Sequence, residues 1–494
     1  MNKISIKFGM MLLGFIVLIH FSISAENNSE PNEKEIVTIL GTVSGFDEGS
    51  QVVLKYNDLI SYDLIQHIRN IKGNTFKLEF HKRNTQDIEL KIGELTIPIL
   101  VAPGDIIKVK IDKTNNKKPV TFEGAKAKIN NELFRLFKAI SEFNMPPDSL
   151  EHYLNTYTPE EYKSKIRSNE NRISSFLNTY SKSNVLEKEL VDWFEIYVKF
   201  KTLNYLIYPY NYKWKEFNVK PDYWNFLDDN VINSDKAINC SEYYKFAANY
   251  STYLYNIEGI FSATKIYNGK DWSKYYNISI DSFDAKGNGL MYDILIAKSI
   301  YRFMKDDYKS YKGMETQIYD RIENQFIKNL IYSEQLNFYN KLDTSKLSEN
   351  INIYDYRNET KSPDLLRLLT SRYKGKVIYV DNWASWCRPC IEEMPYSVHL
   401  QEDYVNKDVV FVYLCQPDRD RNDRAESIIL ENQIPGEHYL MNQELANPTF
   451  YIFRNGGSVP SYLLINKNGE VADNNAPRPS SKEIRGKLND LLKK

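Results

Sequence analysis

The most constraining feature of this 494-residue chain is an apolar strand that runs directly into two closely spaced cysteines. Residues 377–382 predict a buried β-strand, whereas the apolar pattern of residues 391–404 predicts a helix. Cys387 and Cys390 lie between them, at the helix start, where their spacing allows a reversible disulfide. The unpaired N–H groups and positive dipole end of a helix N-terminus favour thiolate over thiol. The segment therefore predicts a redox-active cysteine pair.

The two cysteines are expected to have different roles. Cys387 precedes the helix and should be the more exposed, so we expect it to attack substrate disulfides. Cys390 lies one turn inside and should resolve the mixed disulfide, while Arg388 adds a cation beside the first sulfur. Half of a zinc site is the competing interpretation, but it needs a second cysteine pair or a His-x-x-x-His pair, and the sequence has neither. We therefore expect no metal, and no cofactor beyond the Cys387–Cys390 disulfide.

The segment from Trp383 to Cys390 resembles the Trp-Cys-x-x-Cys signature of the thioredoxin superfamily, specifically of the extracytoplasmic TlpA/ResA-like thiol-disulfide oxidoreductases. The resemblance covers about residues 350–494 and implies an α/β thioredoxin-like fold. Pro395 stands where thioredoxins bend the active-site helix, and residues 409–432 fit the insertion typical of the TlpA-like branch. Asn382 departs from the family's usual aromatic residue, and a polar side chain in that strand needs a hydrogen-bond partner.

The resemblance also implies two catalytic carboxylates. Asp381 matches the buried aspartate of thioredoxins, which is implied to accept the proton of Cys390. Glu393 matches the acidic residue that ResA-like proteins carry three positions after the second cysteine; the alternative is an ordinary solvated helix residue. A carboxylate buried near a thiol has a raised pKa and exchanges protons near neutral pH.

A cis-proline opposite the cysteines is a further implication of the resemblance. Pro448 and Pro460 are the two candidates. We prefer Pro460, because a strand, the Asn468-Gly469 turn and a last helix follow it in the family's closing order. The residues expected to contact substrate are Trp386, Arg388, Pro389, Val459 and Pro460.

The length and the hydrophobic period predict a multidomain protein of about three domains. Residues 26–122 alternate apolar and polar positions, which predicts a small antiparallel β-sandwich. Residues 123–345 follow a helical period and are rich in Tyr and Phe, so we assign a helical domain with these rings in its core; Tyr243-Tyr244 and Tyr275-Tyr276 facing a partner is the alternative. Residues 346–494 form the thioredoxin-like domain. This layout resembles bacterial envelope proteins of the Bacteroidetes type.

The first 25 residues predict export. Lys3 and Lys7 precede an apolar run over residues 8–22, and Ser24-Ala25 supplies small residues for cleavage, so residues 1–25 read as a signal peptide; an uncleaved N-terminal anchor is the competing interpretation. The expected location is the periplasm or cell envelope.

Charge and cysteine content exclude other classes. Lys+Arg 64 against Asp+Glu 65 gives a net charge of −1, which disfavours nucleic-acid binding. Four cysteines are too few for a disulfide-stapled scaffold. Cys415 is expected to be a small buried hydrophobe, with a disulfide to Cys240 as the alternative.

The leading hypothesis is an exported oxidoreductase that acts on protein disulfides. Pro389, before the second cysteine, resembles reducing members of the family, so a reductase is expected. Because the periplasm is kept oxidising, it would need a membrane electron donor. The alternative is an envelope binding or scaffold protein whose N-terminal domains recognise a partner. A peroxidase is disfavoured by the Trp-Cys-x-x-Cys setting.

Overall fold

The computed structural model describes residues 33–47, 49–61, 64–124, 126–213, 221–227, 232–256, 272–312, 314–342, 350–359, 364–418 and 424–494. The predicted signal peptide, residues 1–25, lies outside these residues. None of the helices in the described ranges is long and apolar enough to cross a membrane.

The N-terminal part consists of strands, as the alternating pattern predicts. Eight strands are present in the described residues: β1 (Ile36–Ser44), β2 (Gln51–Asn57), β3 (Leu64–Asn70), β4 (Thr75–His81), β5 (Gln86–Ile92), β6 (Leu95–Val101), β7 (Ile106–Asp112) and β8 (Val120–Glu123). They form two four-stranded sheets with the orders β4-β1-β7-β8 and β3-β2-β5-β6. Alternate residues of both sheets are buried in one shared hydrophobic core.

One strand pair departs from the antiparallel arrangement that we predicted. β1 and β7 are parallel, with Thr38 opposite Ile106, whereas the other pairs in these two sheets are antiparallel. The antiparallel prediction is wrong for this pair because a long crossover, which includes the whole second sheet, separates the two strands. A hairpin would have forced the opposite direction.

The middle of the chain is helical, as predicted. Its α-helices in the described residues are α1 (Ala127–Ile140), α2 (Pro147–Thr156), α3 (Pro159–Ser183), α4 (Lys188–Lys213), α5 (Ser241–Asn256), α6 (Trp272–Lys286), α7 (Leu290–Asp306), α8 (Tyr308–Tyr311), α9 (Glu315–Tyr319) and α10 (Gln325–Leu342). Tyr243, Tyr244 and Tyr276 are buried in its largest core. Their interpretation as core residues is confirmed, and the alternative of a partner-facing surface is wrong for these three.

The C-terminal part has one mixed six-stranded sheet of order β14-β13-β10-β11-β12-β9. Its elements are β9 (Ile351–Asp355), α11 (Leu365–Arg372), β10 (Val377–Trp383), α12 (Arg388–Glu402), β11 (Val409–Cys415), α13 (Arg424–Glu431), β12 (Gly436–Leu440), α14 (Gln443–Phe450), β13 (Ser461–Ile465), β14 (Val471–Asp473) and α15 (Glu483–Lys493).

The central strand β10 is buried on both faces of the sheet. Val377, Tyr379 and Trp383 pack into a cluster that includes residues of α12 and α15. The alternate residues Ile378 and Val380 pack into a second cluster with α11 and α14. Helices therefore cover both sides of the sheet, which explains why residues 377–380 of this strand are continuously apolar instead of alternating.

The remaining two cysteines do not pair. Cys240 lies in a core of the helical region and Cys415 at the end of β11, and both are buried free thiols. The alternative of a disulfide between them is therefore wrong, and each acts as a small core residue.

Candidate active site

The cysteine pair lies where β10 gives way to α12. Cys387 is the N-cap residue of α12, and its sulfur accepts a hydrogen bond from the Cys390 N–H at 3.3 Å. The Cys387 N–H donates to the Ala384 carbonyl at 3.0 Å, which closes the turn between strand and helix. The two sulfurs form a disulfide. This placement puts the pair in the positive field of the helix N-terminus, which favours a thiolate at Cys387 after reduction.

Cys387 is the more exposed of the two cysteines, as predicted, but both residues are buried. Cys387 is 4% exposed and Cys390 is fully buried, whereas Trp386 is 57% exposed beside them. Arg388 and Pro389 are also exposed. The Arg388 guanidinium lies 3.0 Å from the Glu392 carboxylate, so part of the cationic charge expected beside Cys387 is neutralised.

Asp381 is a buried carboxylate on the same side of β10 as the cysteines. In the strand it alternates with Tyr379 and Trp383, whose cluster contains both cysteines. It is 2% exposed, and its Oδ1 has no hydrogen-bond partner within the described residues. Burial, and secondarily the negative charge of Glu393, holds its pKa well above the ordinary value. The side chain is therefore suited to hold a proton.

Glu393 occupies the next turn of α12 and is bound to the loop before α15. It is 8% exposed. Its carboxylate accepts hydrogen bonds from the Ser480 N–H at 3.0 Å and the Ser480 hydroxyl at 2.9 Å. The Arg478 guanidinium lies 3.9 Å away. The alternative of an ordinary solvated helix residue is therefore wrong, although a catalytic role remains a prediction.

The two candidate prolines have different environments. The Val459–Pro460 peptide bond is cis, and Val459 packs against the cluster that contains the cysteines. Pro448 lies inside α14. Of the two candidates, Pro460 is therefore the one that follows a cis peptide bond, as preferred from the sequence. Its contact with substrate remains a prediction.

Asn382 connects β10 to the loop that precedes Pro460. It is fully buried, and its amide donates to the Gly457 carbonyl at 3.1 Å and to the Ser461 hydroxyl at 3.0 Å. Its own oxygen accepts from the Gln416 side chain at 3.3 Å. The partner that a polar residue in this strand requires is therefore present, and the departure from the family pattern has a structural use.

Asn382→Ala is expected to destabilise the C-terminal domain by about 1–3 kcal/mol, because it leaves buried polar groups with fewer partners. Thermal unfolding followed by circular dichroism measures the change. Asn475→Ala, at an exposed position of the same domain, is the control and should leave the unfolding temperature unchanged. Equal unfolding temperatures for wild type and Asn382→Ala would contradict the role assigned to this network.

Three residues that sequence reasoning missed hold the turn before the cysteines. The Gln416 N–H donates to the Trp383 carbonyl at 2.8 Å. Asp418 accepts from the Ser385 hydroxyl at 2.5 Å, and Arg424 donates to the Ser385 carbonyl at 3.2 Å. A signal was present, because the carboxyl ends of adjacent parallel strands meet at one edge of a sheet and these residues follow β11.

No group of three or more His, Cys, Asp or Glu residues that fits a metal ion occurs in the ranges that the structure describes.

Comparison with known proteins supports the predicted resemblance of the C-terminal region to thiol-disulfide oxidoreductases. The family model described as Redoxin matches residues 359–488. The C-terminal region is a redoxin domain. The thiol-disulfide oxidoreductase ResA of Bacillus thuringiensis is 26% identical over 119 residues, covering 24% of this chain and 65% of that protein. ResA of Geobacillus kaustophilus is 31% identical over 103 residues, covering 20% of this chain and 55% of that protein.

A solved structure from Bacteroides vulgatus, described as a thiol-disulfide oxidoreductase, is 31% identical to this chain. The match covers 24% of this chain and 82% of that one, with a TM-score of 0.21. The chain spans less than two thirds of the length of the curated relatives above. The Redoxin match and the ResA relatives confirm the predicted resemblance to TlpA/ResA-like proteins for the C-terminal region. The six-stranded sheet with helices on both faces agrees with the predicted thioredoxin-like fold.

Proposed function

We propose that this protein is an exported thiol-disulfide oxidoreductase that reduces protein disulfides through Cys387 and Cys390. The observation that carries the proposal is the cysteine pair at the start of α12, with the buried carboxylate of Asp381, whose pKa is raised, on the same side of β10. Pairs of titratable groups in such surroundings are typical of proton-coupled chemistry.

The reaction consists of two exchange steps. The Cys387 thiolate attacks one sulfur of the client disulfide, so a mixed disulfide forms and the other client sulfur leaves as a thiolate. The Cys390 thiolate then attacks the Cys387 sulfur, which forms the internal disulfide and releases the second client thiolate. Two electrons and two protons pass to the client.

Asp381 and Glu393 are proposed to move the proton of Cys390. Asp381 takes it when the buried thiol becomes a nucleophile, because a thiolate in an apolar site forms only with a nearby base. Glu393 tunes Asp381 through its negative charge, which is one cause of the raised pKa there. Trp386, Arg388, Pro389, Val459 and Pro460 are the proposed substrate contacts.

The proposal extends to location and partners. Residues 1–25 direct export to the periplasm or cell envelope, either as a cleaved signal peptide or as an uncleaved anchor. An oxidising compartment requires a membrane electron donor to return the Cys387–Cys390 disulfide to the dithiol. The disulfide is the only redox group that the reaction needs, so neither a metal nor another cofactor is invoked.

The two N-terminal sheets are proposed to form a sandwich.

Wild type is expected to accelerate the reduction of insulin disulfides by dithiothreitol, whereas Cys387→Ser should not. Precipitation of the insulin B chain, followed by turbidity, measures the rate. Cys415→Ala is the matched control, since it removes a buried free thiol and should act like wild type. Equal rates for wild type and Cys387→Ser would favour the scaffold alternative, and consumption of hydrogen peroxide would favour a peroxidase.

A further inference from the structure

A buried ion pair joins the helical region to the active-site turn. Asp306, the last residue of α7, contacts the Arg424 guanidinium at the start of α13. The Asp306 side chain is 1% exposed and that of Arg424 is 14% exposed. The Tyr276 hydroxyl donates to the other oxygen of Asp306. The Asp306 carboxylate is therefore held by the helical region and binds a residue of the redoxin domain.

The same guanidinium reaches the turn that precedes the nucleophile. Arg424 donates through Nε to the Ser385 carbonyl at 3.2 Å, while its Nη1 binds Asp306. Ser385 stands two residues before Cys387, and its hydroxyl is bound by Asp418. A planar guanidinium with several donors in fixed directions can hold two acceptors at once, which an ammonium group does less well.

We propose that Arg424 is a positioning residue through which the helical region sets the reduction potential of Cys387–Cys390. This inference rests on the proposed redox function and gives the helical region a role in it. The Arg424 cation hydrogen-bonds directly to the active-site turn, and the Asp306 anion is bound to that cation. Their charges therefore act on the Cys387 thiolate with opposite signs and unequal strength.

A second ion pair at the same interface provides a matched control. Lys305, next to Asp306, pairs with Glu431 at the other end of α13. Within the described residues, the hydrogen bonds and ion pairs of these two side chains do not involve the active-site turn. Glu431 lies seven residues after Arg424, about 10 Å along the helix. This pair joins the two regions in the same way but lacks the contact with the turn.

The test is the thiol-disulfide equilibrium of the full chain with glutathione. Arg424→Gln removes the nearer cation and destabilises the thiolate of the reduced form. The potential should become more negative, by about threefold to tenfold in the equilibrium constant, or about 15–30 mV for a two-electron couple. Asp306→Asn leaves the cation uncompensated, so the equilibrium should shift the opposite way, by about twofold to threefold. Arg424→Lys holds the two acceptors less well but keeps the positive charge, which is what sets the potential, so its equilibrium constant should stay within about twofold of wild type.

The control variants Lys305→Gln and Glu431→Gln should leave the potential unchanged. Shifts of the same sign for Arg424→Gln and Asp306→Asn, or equal shifts for the control variants, would overturn the inference, because simple loosening of the interface explains either result. If circular dichroism shows that Arg424→Gln does not fold, Asp306→Asn alone tests the inference, and its reduction potential should be less negative than that of wild type. If the wild-type cysteine pair does not exchange with glutathione, both the proposed function and this inference are wrong. If all variants exchange at the same potential as wild type, this inference alone is wrong.

Discussion

Cys390→Ala is expected to stop the reaction at the mixed disulfide and to slow turnover by about a thousandfold. Cys387 still attacks the client, because its position at the N-terminus of α12 does not depend on the second sulfur. Without a resolving thiol, the bond to the client persists until an outside thiol reaches it, and only 4% of Cys387 is exposed. Client proteins should therefore accumulate on the variant.

Non-reducing electrophoresis followed by mass spectrometry of the trapped species measures this result. The adducts should disappear with dithiothreitol and be absent from Cys387→Ser/Cys390→Ala. Cys390→Ala/Cys415→Ala is the matched control and should trap as well as the single variant, since Cys415 is a buried free thiol. Adducts that depend on Cys415 instead of Cys387 would refute the assigned nucleophile.

Asp381→Asn is expected to slow the resolving step by about a hundredfold, because it removes the base that accepts the Cys390 proton. Glu393 is the charged group that raises the pKa of Asp381 in addition to burial. Burial, and secondarily the charge of Asp381, in turn raises the pKa values of the tyrosines Tyr379, Tyr413 and Tyr462. Wild-type rates should rise as pH passes the raised pKa of Asp381, and the variant should lack this step. Stopped-flow measurement of mixed-disulfide decay gives both profiles, and identical profiles would show that Asp381 does not carry the proton.

The same variant has a predicted effect on stability. The folded protein holds the Asp381 proton more tightly than the unfolded chain does, so wild-type stability falls as pH rises from about 4 toward the raised pKa. Asp381→Asn removes this buried charge and should unfold at a higher temperature than wild type near pH 8. The difference should vanish near pH 4. A variant less stable than wild type near pH 8 would contradict the burial penalty.

The part of the site predictable from sequence is the part built by neighbouring residues. The buried strand, the cysteine pair and the start of α12 all lie between Val377 and Cys390, where local patterns determine the structure. Buried Asp381 and the choice of Pro460 followed from the family resemblance. Contacts between distant segments did not follow, because no local pattern encodes them. Asn382 meets Ser461 across 79 residues, and Asp306 meets Arg424 across 118.

The same limit applies to the fold. Alternation predicted which N-terminal segments are strands but not the direction of β7, which depends on how the chain returns from the second sheet. In the helical region, periodicity placed Tyr243 and Tyr244 in the core. It did not indicate that Asp306, at the end of α7, would face another domain, since a single acidic residue at a helix end is usually solvated.

The reduction potential of Cys387–Cys390 in the full chain tests the central claim most directly. Equilibration with glutathione buffers, followed by thiol alkylation and mass spectrometry, gives the fraction of the pair in the disulfide. We predict a reversible two-electron transition closer to ~−270 mV, as in thioredoxin, than to ~−120 mV, as in strong oxidants. A value near the oxidants would reverse the direction of electron flow, and the absence of any reversible transition would contradict a redox function for this site.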